Sequence, residues 1–174
     1  MKKMFYGLIC LAGLSACKSE NLVLDALRVY DVANSACKLT LSEARSDSKL
    51  QNDAVSSTLY MELGKDGIAQ CMMENVEANC GVSKIYVSMT NQDTKITLVV
   101  YHNELEEFAD CVCKYDVNFK MSKLVAGSYD LEVYYASPKM KYDESGIAYR
   151  GKVRLVSGER VGVSLEPEKS LPET

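Results

Sequence analysis

Thiols and one imidazole are the reactive groups of this chain, with seven cysteines and a single histidine in 174 residues. Cys111 and Cys113 form the closest pair. On one extended strand they share a face, with Cα atoms ~6.6 Å apart and side chains running parallel. That spacing is at the edge of the disulfide range and the Cβ vectors do not converge. Each is therefore expected to bond elsewhere, with Cys37 and Cys80 as the natural partners, because Cys71 falls inside a predicted strand of its own. A Cys37–Cys111 bridge would close about 75 residues and stabilise by ~4.5 kcal/mol on the chain-entropy model; Cys80–Cys111 would close about 32 residues for ~3.7 kcal/mol. Cys37, Cys80, Cys111 and Cys113 are also the right number of ligands for a tetrahedral zinc. The chain lacks the paired C-x-x-C knuckles of such sites, so no metal and no other cofactor is expected. Free buried thiols are the third reading of the same residues.

The remaining chemical candidates are weaker. His102 stands beside Asn103 at a predicted strand end, the setting of an ordinary surface or turn residue. No Ser or Cys sits in a nucleophile elbow, so no catalytic residue is assigned, and an enzyme would need His102 to work with a distant partner. Glu104, Glu106, Glu107 and Asp110 lack the spacing and the turn glycine of a calcium loop and read as a solvated loop. Eleven Tyr and no Trp count against a sugar-stacking surface. Neighbours in a strand point to opposite faces, so one of Tyr134 and Tyr135 points outward, with Tyr142 and Tyr149 downstream; Tyr134 and Tyr135 are the candidates for an exposed aromatic patch. The alternative for these rings is cross-strand packing.

The first residues set the compartment. Lys2 and Lys3 precede an apolar stretch, Met4 to Leu14, too short to span a bilayer but suited to a secretory signal. It ends in Leu14-Ser15-Ala16-Cys17, which resembles the bacterial lipobox. That resemblance implies cleavage before Cys17 and acylation of its thiol and new amine, which holds the chain to a membrane without spanning it. Lys18, not Asp, follows, and in the usual sorting pattern this favours the outer membrane, on its periplasmic or surface side. Removing residues 1–16, with Lys2 and Lys3, leaves 158 residues and moves the formal charge from −4 to −6. A mildly acidic chain without a basic run has no footprint for nucleic acid. An exported chain is in an oxidising compartment, where disulfides are the default. Cys10 leaves with the signal, so the five cysteines after Cys17 are an odd number, and at least one stays unpaired within the chain.

Short strands must position these groups. From Cys111 to Met121 every odd position is apolar or a thiol, and the even positions from Lys114 on are polar, the period of a half-buried strand. Leu124-x-x-Gly127-x-Tyr129-x-Leu131-x-Val133 opens a second with the same alternation. Thr58–Leu63 and Ile68–Met73 flank Gly64-Lys65-Asp66-Gly67 as a hairpin, and Asn75 to Gly81 reads as a connection. Ser83–Met89, Lys95–Tyr101, Ile147–Val156 (one long strand or two short) and Val161–Leu165 follow. Ser42–Ser56 is a polar surface loop, and Glu20–Asn34 a tether plus an element of either type. About 7–8 strands without a long helix predict an all-β, antiparallel, immunoglobulin-like sandwich, with a small up-and-down barrel as the alternative. Leu124-x-x-Gly127-x-Tyr129 resembles the tyrosine corner of such sandwiches. The expected organisation is a signal peptide at 1–16, a lipidated tether at 17–34, the sandwich at 35–166 and a disordered tail at 167–174.

Ser35-Ala36-Cys37-Lys38, Asn75-Val76, Asn79-Cys80, Cys111-x-Cys113-x-Tyr115-Asp116-Val117-x-Phe119 and Gly127-x-Tyr129 follow one another in a recognisable order. This set resembles a group of small secreted or lipid-anchored proteins of Bacteroidetes-type bacteria that has no assigned function. Where relatives in that group carry further cysteines this chain has Gly81 and Ala109, so a relative's pairing does not carry over in full. The expectation is a non-enzymatic, lipid-anchored envelope protein that binds a ligand or braces an envelope complex. The alternatives are an envelope enzyme built around His102, or a subunit of a surface fibre that pairs through Val161–Leu165.

Overall fold

Period-2 alternation does become strand. In the computed structural model, residues 27–38, 56–103, 109–136 and 140–166 are described. They form β1 (Arg28–Asn34), β2 (Ser57–Leu63), β3 (Ala69–Asn79), β4 (Ile85–Gln92), β5 (Lys95–His102), β6 (Val112–Ser122), β7 (Gly127–Tyr135), β8 (Ile147–Leu155) and β9 (Arg160–Leu165), with a short 3-10 turn at Glu144–Gly146. Two sheets pack face to face: a five-stranded sheet in the order β1-β6-β3-β2-β9 and a four-stranded sheet in the order β4-β5-β7-β8. Neither closes into a barrel. The predicted sandwich is present, with nine strands where about eight were expected. Among the described residues, no helix is long and apolar enough to cross a membrane.

The core is the set of inward positions that alternation marks. Cys113, Tyr115, Val117, Phe119 and Met121 of β6 are buried and pack with Leu59, Met61 and Met73 of the same sheet against Leu98, Leu131 and Val133 of the other. Each such side chain contributes about 1.5–3 kcal/mol of burial. Tyr129 forms the predicted corner where the chain crosses from β6 to β7: its hydroxyl donates to the Val125 carbonyl at 2.8 Å and accepts from the Val125 amide at 3.2 Å.

Three features differ from the expectation. The pairing is not wholly antiparallel, because β5 and β7 run parallel. The sheet also starts before Ser35: the stretch Arg28–Asn34, placed outside the sandwich with its type left open, is a strand, β1, paired with β6. Asn75–Gly81 is not a connection, since β3 runs on to Asn79. Asn75 takes a left-handed φ of 58° where the β3–β6 register shifts, so a bulge interrupts the pattern while the strand continues. Of the two readings of Ile147–Val156, the single long strand is the one present, as Ile147–Leu155. The signal, Cys17, the loop at 42–55, Glu104, Glu106, Glu107 and the tail at 167–174 lie outside the described residues.

Candidate functional site

Ser35, Cys37, Lys38, Asn79, Cys80, Cys111, Cys113, Tyr115 and Asp116 meet at one end of the five-stranded sheet, while Gly127 and Tyr129 lie on the other sheet. Cys37 bonds Cys113 and Cys80 bonds Cys111, with Cα–Cα distances of 5.4 and 5.7 Å. All four expected cysteines are thus in bridges. Cys80–Cys111 is one of the pairings anticipated; Cys37 takes Cys113 in place of Cys111. The ladder explains both. Ala78 lies opposite Cys113 and Asn79 opposite Val112, so the next step brings Cys80 to Cys111, and the Cys80 amide donates to the Cys111 carbonyl. Cys37 follows β1 on the other side of β6. There the Ser35 amide donates to Asp116 and the Lys38 amide to Lys114, at 2.8 and 3.0 Å.

Polar side chains hold this end in place. Asp116 accepts from the amide of Asn75 at the bulge, its own amide donates to the Ser35 hydroxyl, and its carboxylate pairs with Lys38. Asn79 works on both sides of the gap: its amide nitrogen donates to the carbonyls of Ala109 and Cys111, at 2.6 and 3.3 Å, and its side-chain oxygen accepts from the amides of Gly81 and Ala109. Tyr115 extends beneath and donates to the Asn79 carbonyl at 3.2 Å; burial raises the pKa of its hydroxyl. Asn79, Tyr115 and Asp116 carry the geometry of the cysteine cluster, and their place in the pattern was the only signal of this.

The two bridges touch. Cys113 Sγ lies 3.0 Å from Cys80 Sγ, and the sulfurs of Cys37, Cys80 and Cys113 are all within 4.8 Å of one another. Cys113 is buried, Cys37 and Cys80 half-buried, and Cys111 exposed. Bridged sulfurs are not thiolate ligands, so the four-thiolate zinc arrangement is not the state seen here. Cys71 is free and buried on the inner face of β3. Burial pushes its thiol up to about 12, which leaves it unreactive.

His102 ends β5, half-buried, with Nδ1 2.7 Å from the carbonyl of Asn103. It borders a cavity of about 150 Å³ between the sheets, with Glu77 and Tyr135 also in the wall. Tyr135 faces this cavity and shares a hydrogen bond with Ser57. Asp110 is exposed.

Tyr134 and Tyr135 do not form an exposed patch. Tyr134 points away from the core, as alternation requires, but is only 5% exposed. Tyr142, from the connection between β7 and β8, packs on its ring at 4.8 Å, and Arg150 donates to its hydroxyl. Arg150 also reaches Glu132 and Glu144, at 3.0 and 2.8 Å, and Lys95 reaches Glu132 at 3.0 Å. Burial works against ionisation of Glu132, but the hydrogen bonds and charges of Lys95 and Arg150 outweigh it and hold the carboxyl below its ordinary range. Gly146 sits so close to the Tyr135 carbonyl, 2.4 Å from where a Cβ would be, that only glycine lets the connection fold back onto β7.

The outer face of the other sheet is open. A depression of about 260 Å³ crosses β1, β6, β3, β2 and β9. Glu62, Gln70 and Asn118 are exposed within it, and Tyr60, Met72 and Lys120 are half-buried. The Tyr60 ring lies across Gly162, where a Cβ would meet it at 3.0 Å, and the Arg160 guanidinium stacks over that ring at 4.0 Å. Lys120 pairs with Asp31 at 2.9 Å. The face thus offers both charges, two amides and a ring.

No family model, curated protein or solved structure matches this chain.

Proposed function

We propose that this chain is a lipid-anchored protein of the bacterial envelope, held to the outer membrane through an acylated Cys17, whose domain binds or braces a partner without catalysis. One observation carries the reading: the outer face of the five-stranded sheet holds a depression that crosses all five strands and is lined with both charges, two amides and a ring. The two disulfides support an oxidising compartment. Two experiments test it. Cys17→Ser is expected to move the protein from the membrane to the soluble fraction; retention in the membrane overturns the anchor. A photoreactive residue at Gln70 or Asn118 is expected to crosslink an envelope component in living cells, while one at Ser128 on the other sheet does not. Equal labelling at all three positions, or none, overturns the binding face.

The enzyme reading has one observation in its favour, the cavity bordered by His102 and Glu77. Against it, His102 is engaged by a backbone carbonyl and the cavity is small for a substrate site. His102→Ala is expected to leave the cellular phenotype of the gene unchanged; a null phenotype with the fold intact would restore the enzyme.

A further inference from the structure

The touching bridges carry an inference that goes beyond the binding role and does not depend on it. We propose that the four-cysteine cluster is a thiol–disulfide exchange relay, whose partner is an envelope dithiol and whose product is a Cys80–Cys113 bridge.

Exchange proceeds by attack of a thiolate on a disulfide sulfur through a mixed disulfide. Cys111 is the one exposed residue of the four. Attack there by one sulfur of an external dithiol forms a mixed disulfide with Cys111, breaks Cys80–Cys111 and leaves the electron pair on Cys80 as a thiolate. That sulfur is already 3.0 Å from Cys113 Sγ. It attacks Cys113, forming Cys80–Cys113, breaking Cys37–Cys113 and releasing Cys37 as a thiolate. The second thiol of the dithiol then displaces Cys111, which leaves as a thiolate. The dithiol is oxidised to its own disulfide, and the protein gains two electrons, keeping one bridge and exposing the thiols of Cys37 and Cys111.

The route is symmetric. Attack on half-buried Cys37 would leave the thiolate on Cys113, which then attacks Cys80 and releases Cys111, so attack at either end converges on the same two-electron product. The consequence is mechanical: loss of the Cys37 bridge leaves the segment after β1 held by backbone bonds from Ser35 and Lys38 and the Lys38–Asp116 pair.

The test uses the full chain as the cell exports it, treated with one equivalent of dithiothreitol, quenched in acid, alkylated and mapped for bridged peptides. The expected two-electron species carries Cys80–Cys113, with Cys37 and Cys111 alkylated. Either original bridge surviving intact, with both cysteines of the other alkylated, overturns the relay. Cys111→Ser checks the internal step without a reductant: Cys37 should become alkylatable in the variant while the parent protects it. If Cys80 alone alkylates and Cys37–Cys113 stays whole, the relay is wrong; should that variant not accumulate, the dithiothreitol map alone decides.

Discussion

The two sheets of this sandwich are finished in different ways. The five-stranded sheet is closed at one end by covalent bonds and leaves its outer face bare. The four-stranded sheet has no bridge among the described residues, and its own chain roofs the outer face over Tyr134 while leaving it open around Lys95, Asp130 and Lys152. There Tyr142 lies on Tyr134, and Arg150 ties the connection to Glu132 and Glu144. Buried rings and a charged network can roof a face only by taking it out of contact with partners. A staple at the end of a sheet holds the strands while leaving the face free. The comparison separates two ways of holding strands: a covalent staple at a sheet end, and a cover of rings and charges over part of a sheet face.

The largest effect should come from the staple. Replacing Cys37 and Cys113 together by Ala is expected to lower the unfolding free energy by about 4.5 kcal/mol, since their separation of 76 residues makes the closed loop long. Denaturant titration checks it, and a loss below about 1 kcal/mol would mean that the Cys80–Cys111 bridge and the hydrogen bonds hold the end without it. Next is the roof: Tyr134→Ala should cost about 3 kcal/mol, the lower end for deleting a buried aromatic ring, while Gln70→Ala on the bare face should stay within about 0.5 kcal/mol. Similar costs at the two positions would erase the distinction between covered and open faces. The tyrosine corner is smaller: Tyr129→Phe removes a donor to Val125 and should cost about 1 kcal/mol, with the fold retained by circular dichroism.

The smallest effect concerns acid. Because the Glu132 carboxyl is held below its unfolded value, its contribution is present above the ordinary carboxylate range. It is lost as pH falls through the folded value. Glu132→Gln should therefore flatten the acid limb of melting temperature against pH and lower stability near neutrality by about 1 kcal/mol. A variant that keeps the wild-type acid limb would show that the network adds nothing.

Much of this was legible in the chain because it is local. Alternation from Cys111 to Met121 marked β6, Gly64 and Gly67 marked the β2–β3 hairpin, and Leu124 to Tyr129 marked the corner. The four bridged cysteines were legible as a set, from residue type and spacing. Their pairing was not, because Cys37 lies outside any alternating run and its position depends on β1 docking beside β6. The same limit hid the bulge at Asn75, where one left-handed residue shifts the period, and the fate of Tyr134. Alternation says which way a side chain points, not whether another part of the chain lies on top of it. The open face of the five-stranded sheet draws one or two residues from each of several strands, so no stretch of sequence announces it.

The parallel pairing of β5 with β7 has a consequence for the order of assembly. Between them in the chain comes β6, which belongs to the opposite sheet. The β4–β5 and β7–β8 pairs are each close in sequence and can form early, but they cannot join until the intervening strand has crossed over and settled. Non-local closures of this kind make folding slow, and meanwhile the inner edge of β5, buried in the native fold from Ile96 to Val100 and apolar there apart from Thr97, stands unpaired and prone to capture by another chain. The crossing of β6 is therefore the step at which crowding during biogenesis would do most harm, and a chaperone that shields β5 until β6 has docked would raise the yield most.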